Sequence, residues 1–130
     1  AAAMGATAFQ KGLGAIHALS HPIGAHHHTH HGTTNAVCMP AVLQFNRPAA
    51  EGVLTQAAAY LGIEGGFDGF AAYVDNLNES LDIPKTLTEL GVTNPDLDAL
   101  VRDALNDPST GGNPVEMTPE NTRALFEAIL

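Results

Sequence analysis

Glycine and proline residues divide this chain into short segments that favour helices. The segments between them are rich in Ala and Leu, which are strong helix formers. Their apolar residues recur at intervals of three and four, and no segment shows the sustained two-residue alternation of a half-buried strand. The sequence therefore predicts an all-α fold of about seven helices, forming one domain over residues 1–130.

The boundaries of the predicted helices follow from capping residues and helix breakers. Thr33 or Thr34 and Thr118 are candidate N-caps, and Pro95 is placed at the first position of its helix. Arg47-Pro48 is predicted to be a turn. The expected helices cover 1–10, 13–25, 33–46, 49–61, 70–80, 95–106 and 118–130, with a short one at 87–90.

The charge of the chain excludes several classes of partner. Five Lys and Arg residues against fourteen Asp and Glu residues give a formal net charge of −9. Nucleic acids and anionic membrane surfaces both attract clustered basic residues, so neither is expected as a partner. No uninterrupted apolar run approaches the roughly 20 residues that span a bilayer. The single cysteine, Cys38, fits a reducing compartment, and we expect a cytoplasmic protein.

All seven histidines lie between His17 and His31. His17 and His21 are four residues apart, which places them on one face of a helix. Imidazole nitrogens bind Fe, Zn, Ni and Cu. The residue types alone leave two interpretations open: an ordered metal site, or loose chelation by a histidine-rich run.

The order of residues around these histidines is more specific. The segment "GLGAIHALSHPIGAHHHTHHGTTNAVCMPAVLQFNRPA", residues 12–49, resembles the signature of the iron-containing alcohol dehydrogenases. The resemblance continues through "LGI" at 61–63, "LDIPKTLTELGV" at 81–92 and "NP" at 113–114 before a Thr-capped helix. It implies the C-terminal helical domain of a fold similar to dehydroquinate synthase.

The resemblance also implies roles for three histidines. His17 and His31 match the family's two metal ligands in this half of the enzyme. His21 matches a third histidine, which lies beside the metal and the reacting ends of substrate and nicotinamide without being a ligand. The remaining histidines match the family's variable loop, and we expect them to be solvated and without a role: His26, His27, His28 and His30.

Such a family member interconverts alcohols with aldehydes or ketones by metal-assisted hydride transfer. The resemblance implies Fe²⁺ (Zn²⁺ is the other candidate) and NAD or NADP. The N-terminal dinucleotide-binding domain, with an Asp and a His that complete the metal site, is absent from residues 1–130. We therefore expect a piece of a longer protein that is inactive alone. An exposed apolar face would allow it to form homo-oligomers.

A second interpretation belongs to another functional class. The histidine run could form a non-enzymatic helical module that binds metal or a partner. Such a module would depend on the number of histidines, so the loss of His26, His27 and His28 would weaken it most. An ordered dehydrogenase site would depend on His17 and His31. Asn35 is expected to serve the helix start, with support of His31 as its other interpretation.

Overall fold

The computed structural model describes residues 2–130, and in that range every regular element is helical. The helices are α1 (Ala2–Phe9), α2 (Ala15–His27), α3 (His31–Tyr60), α4 (Gly66–Ser80), α5 (Leu97–Leu105) and α6 (Pro119–Ile129), with a 3-10 turn at Thr110–Gly112. Ala1, where the first predicted helix begins, lies outside the described residues. The predicted all-α fold is confirmed. Within residues 2–130, no helix combines the length and the apolar character needed to cross a membrane.

The core forms where α2, α3, α5 and α6 meet. Helix α2 contacts both α3 and α5, and α6 contacts the same two helices. Leu19 and Ile23 of α2, Leu100 of α5 and Phe126 of α6 are all fully buried there. Burying each such side chain is worth about 1.5–3 kcal/mol. Helix α4 packs on α3 outside this core, and no residue of α1 is buried.

Helix α3 joins two predicted helices into one of 30 residues. The prediction of a turn at Arg47-Pro48 is wrong, because the helix continues through Pro48. A proline removes one helical hydrogen bond but leaves the flanking bonds intact. Beside Pro48, the guanidinium of Arg47 bonds the carboxylates of Glu51, one turn later, and of Asp68 on α4, at 2.9 and 2.7 Å. Arg47 also lies over the ring of Phe67, 4.6 Å from its centroid.

The second proline within α3, Pro40, has its own compensation. Its missing N–H leaves the carbonyl of Ala36 without the usual helical donor. The side-chain amide of Asn78, on α4, donates to this carbonyl at 3.0 Å. A side chain of the neighbouring helix α4 thus replaces the backbone hydrogen bond that Pro40 removes.

Several predicted boundaries differ from those of the structure. Residues 87–90 form turns rather than a helix, and the N–H of Leu87 donates to the carbonyl of Ile129 at 2.7 Å. Helix α4 begins at Gly66, four residues earlier than predicted. Helix α5 begins at Leu97 rather than Pro95, because the carboxylate of Asp96 accepts from the N–H of Ala99 and acts as the N-cap.

The starts of α3 and α6 show how side chains cap a helix. Helix α3 begins at His31, and its N-cap is His30 rather than Thr33 or Thr34. The predicted cap at Thr118 is confirmed, and Asn121 completes a capping box although it is not the usual Glu or Gln. Thr118 accepts from the N–H of Asn121 at 3.3 Å, and Asn121 accepts from the N–H of Thr118 at 2.8 Å.

Candidate metal centre

Three of the seven histidines lie together at the junction of α2 and α3. His17 and His21 lie one turn apart on α2, and His31 is the first residue of α3. The centroids of the rings are 5.6 Å apart for His17 and His21, 5.2 Å for His17 and His31, and 5.4 Å for His21 and His31. The chain reverses direction at His28, which ends α2 in the left-handed region with φ 56°.

Asn35 defines the point on which two of these rings converge. Its Nδ2 lies 3.3 Å from Nε2 of His17 and 3.1 Å from Nε2 of His31. Because an amide N–H donates, both Nε2 atoms are acceptors whose lone pairs point toward the same group. The Oδ1 of Asn35 is buried without a hydrogen-bond partner in the part of the chain that the structure describes. These contacts favour the interpretation of Asn35 as support for His31.

The electrostatic surroundings favour neutral imidazole at this point. Burial lowers the pKa of His17, and the charges that His31 and His21 could carry lower it further, while Asp107 opposes the shift. A histidine must be neutral to bind a metal. The environment of His17 therefore favours the protonation state that a metal ligand needs.

Asp107 joins the site from the loop after α5. Its Oδ2 accepts from Nδ1 of His21 at 2.8 Å, and its Oδ1 accepts from the N–H of Ser109 at 2.8 Å. Burial alone would raise the pKa of Asp107, but the hydrogen bonds from Ser109 and His21 outweigh burial and lower it. Asp107 is not among the site residues predicted from the sequence. The Asp-Pro-Ser spacing indicates a turn, but nothing in it indicates a partner 86 positions away.

Two of the four loop histidines make structural contacts, and both are solvent-exposed, as expected. Nε2 of His26 donates to Oδ2 of Asp103 on α5 at 2.8 Å. Nδ1 of His30 accepts from the N–H of Thr33 at 3.3 Å and thereby caps α3. The first bond joins the end of α2 to α5, and the second caps α3.

The start of α2, which positions His17, is held by an asparagine from a distant loop. Oδ1 of Asn113 accepts from the N–H of Ala15 at 3.0 Å and from Nδ2 of Asn46 at 2.9 Å. The amide of Asn113 donates in return to Oδ1 of Asn46 at 2.7 Å. The Gly112 backbone approaches Leu13 so closely that a Cβ on Gly112 would lie 2.0 Å from the carbonyl oxygen of Leu13. A cavity of about 280 Å³ opens here beside His17.

The donor set of this chain fits part of a metal site. His17 and His31 offer two convergent imidazole nitrogens, which suit both iron and zinc. Between residues 2 and 130, no three His, Cys, Asp or Glu side chains come together to hold a metal ion. Structural and catalytic zinc sites use three or four protein ligands. Further ligands must therefore come from outside the described residues if a metal is held here.

The fold and the histidine cluster together define an all-helical domain with a candidate for part of a metal centre. Residues 1–130 match the C-terminal part of the Fe-containing alcohol dehydrogenase family, and the chain belongs to that family. It is 39% identical over 136 residues to 4-hydroxybutyrate dehydrogenase from Cupriavidus necator, covering 98% of this chain and 35% of the relative. It is 34% identical to lactaldehyde reductase from Escherichia coli K12, covering 88% of this chain and 32% of the relative.

A solved structure, that of a 1,3-propanediol oxidoreductase, superposes with a TM-score of 0.83 at 28% identity. The match covers 91% of this chain and 33% of the other. The chain thus spans about a third of the length of the relatives it matches. The resemblance seen in the sequence is confirmed at the level of the family and of the fold.

Proposed function

We propose that this chain is the metal- and substrate-binding domain of an enzyme that interconverts alcohols with aldehydes or ketones. The observation that carries this proposal is the convergence of Nε2 of His17 and Nε2 of His31 on the amide nitrogen of Asn35. Family membership supports it. The share of the relatives that the chain covers supports the further proposal of an N-terminal domain, which binds NAD or NADP and supplies an Asp and a His to the metal.

In this proposal, His17 and His31 hold Fe²⁺ through their Nε2 atoms, with Zn²⁺ as the other candidate. A cation held there would supply Lewis acidity that lowers the pKa of a substrate hydroxyl or polarises a substrate carbonyl, and a bound nicotinamide would supply hydride exchange. Asn35 holds both imidazoles in the acceptor state until they bind the cation. These residues orient the reacting oxygen, and the start of α2 fixes the position of His17.

His21 is the proposed catalytic residue. Its side chain is 39% exposed, and its Nε2 has no hydrogen-bond partner within residues 2–130. In the oxidation direction, Nε2 takes the proton of the substrate hydroxyl. In the reduction direction, the same atom returns a proton to the carbonyl oxygen.

The names of the relatives indicate the class of substrate. 4-Hydroxybutyrate, lactaldehyde and 1,3-propanediol are small molecules that carry a second oxygen function. We propose substrates of this size and polarity, and the cytoplasm as the compartment, where a free thiol such as that of Cys38 persists. Self-association stays a prediction, and we further propose that the exposed Met4 and Phe9 of α1 pack against the N-terminal domain.

The test is the metal content of the full-length protein, measured for the wild type and two variants. The double variant His17→Ala/His31→Ala should lose bound metal and nicotinamide-linked turnover of 4-hydroxybutyrate or lactaldehyde. The triple variant His26→Ala/His27→Ala/His28→Ala is the control and should retain both. Loss of metal in the triple variant alone would contradict the proposal and favour a chelating loop.

The non-enzymatic histidine-rich module gains no support from the geometry. His26 is engaged with Asp103, and His30 caps α3. The described part of the chain holds no third ligand near the loop that would complete a separate site.

A further inference from the structure

His21 has a single side-chain hydrogen-bond partner in the described residues, Asp107, and that partner is built into the fold. The side chain of Asp107 is 11% exposed, against 39% for His21. Its second oxygen is occupied by the N–H of Ser109. The carboxylate is therefore held from both sides, and its orientation does not depend on His21 alone.

The contact determines which nitrogen of His21 carries the proton. A carboxylate only accepts, so Nδ1 of His21 must be the N–H nitrogen. In the neutral ring, Nε2 then carries the lone pair. The ring stacks on His31 at an interplanar angle of 16° and meets His17 nearly edge-on at 68°, so the ring of His21 lies beside the convergent pair.

We propose that Asp107 is the positioning residue for His21: it holds the ring in the Nδ1–H tautomer and keeps Nε2 as a proton acceptor in a ring that lies beside the metal-ligand pair. The tautomer follows from the geometry alone, whereas its consequence for turnover rests on the proposed function. The two parts can therefore fail separately.

An asparagine at position 107 provides a sharp test. Asp107 accepts two N–H groups, one from Ser109 and one from His21. An asparagine has one acceptor oxygen and one donor nitrogen. If its oxygen keeps the Ser109 bond, its amide N–H faces Nδ1 of His21 and favours the Nε2–H tautomer. The substitution thus preserves shape while inverting the hydrogen bond.

The chain contains a matched control one turn away. Asp103 of α5 pairs with His26 of α2 at the same distance, 2.8 Å, as Asp107 pairs with His21. The carboxylate of this second pair is more exposed, at 36% against 11% for Asp107. Asp103→Asn makes the same chemical change to a His–Asp pair but leaves His21 and Asp107 untouched.

The first measurement is the tautomer of His21 in zinc-loaded full-length protein labelled with ¹⁵N-histidine. Spectra are recorded near pH 9, well above the ordinary histidine pKa of about 6.5, and the His21 signals are assigned by their loss in His21→Gln. Wild type and Asp103→Asn should show the Nδ1–H form, and Asp107→Asn the Nε2–H form. An unchanged tautomer in Asp107→Asn would overturn the proposal.

The second measurement is turnover of 4-hydroxybutyrate and lactaldehyde with either nicotinamide. In Asp107→Asn, kcat should fall about 10²-fold, the scale of general acid–base catalysis, while KM and bound metal stay near wild type. Asp103→Asn should lose less than about twofold, and added formate should partly restore Asp107→Ala by filling the space of the carboxylate.

Loss of metal in Asp107→Asn, or an equal loss of kcat in Asp103→Asn, would show a structural role and overturn the proposal. A wild-type protein without turnover would contradict the proposed function instead. In that case the tautomer measurement alone decides whether Asp107 positions His21.

Discussion

The side-chain amides of Asn46 and Asn113 exchange two hydrogen bonds, 2.9 and 2.7 Å long, between α3 and the loop before α6. The oxygen of Asn113 also caps α2 through the N–H of Ala15. Three elements thus meet at one amide, close to His17.

Asn113→Ala should remove this junction. It leaves the half-buried Asn46 amide and the N–H of Ala15 without partners, and each unsatisfied group costs about 1–3 kcal/mol. We expect the free energy of unfolding, measured with urea, to fall by about 2–4 kcal/mol. Asn106→Ala is the control, because Asn106 is exposed and its side chain makes no hydrogen bond in the described range. An equal loss in both variants would contradict the capping role.

Gly112→Ala should be strongly destabilising. The added Cβ would lie 2.0 Å from the carbonyl oxygen of Leu13, which is backbone and cannot turn away. Relief requires a shift of the whole segment before α2, at a cost of about 2–3 kcal/mol or more. The neighbouring substitution Gly111→Ala meets nothing within 4 Å and should leave the unfolding midpoint nearly unchanged. A wild-type midpoint for Gly112→Ala would show that the approach of the two backbones is not needed.

Asn78→Ala should weaken the packing of α4 on α3. The carbonyl of Ala36 has lost its helical donor to Pro40 and depends on the Asn78 amide. Its loss should lower the free energy of unfolding, measured with urea, by about 1–2 kcal/mol. Asn76→Ala, two residues earlier on the exposed side of α4, is expected to be neutral or slightly stabilising. The double change Asn78→Ala/Pro40→Ala should recover most of the loss, because an alanine at position 40 would supply the missing N–H.

Stability at low pH should depend on Asp107. Its pKa in the folded protein lies below the ordinary value of 3.8, so the unfolded chain binds protons first as the pH falls. The contribution of Asp107 to stability is complete above about pH 4 and is lost as the pH drops through the lower folded value. Urea unfolding between about pH 5 and pH 2.5 should therefore show a shallower loss for Asp107→Asn than for wild type. Parallel profiles would contradict this.

The sequence predicts correctly those features of the structure that depend on a single short segment of the chain. The Thr118 cap depends on Pro119 and Asn121 beside it, and the spacing of His17 and His21 depends only on one helical turn. The absence of alternating polarity predicts the all-α fold for the same reason. Each of these depends on contacts within a few residues.

The parts that the sequence did not predict depend on contacts between distant helices. The turn expected at Pro48 is instead helical, and Arg47 beside it contacts Asp68 and Phe67 of another helix. The pairing of His21 with Asp107 exists because α2 packs on α5. The residues next to either one in the sequence do not indicate this partner. The packing of α2 on α5 also gives His26 its partner.

The continuity of α3 has a mechanical consequence. At about 1.5 Å per residue, Arg47 lies about 24 Å along the helix axis from His31. If the helix does not bend between these two residues, it moves as a rigid body. A tilt of about one degree about Arg47 then displaces His31 by about 0.4 Å. That displacement is about twice the tolerance of about 0.2 Å on metal–ligand distances. A small tilt of α3 near Arg47 would therefore be enough to move a proposed metal ligand at the other end of the helix out of place.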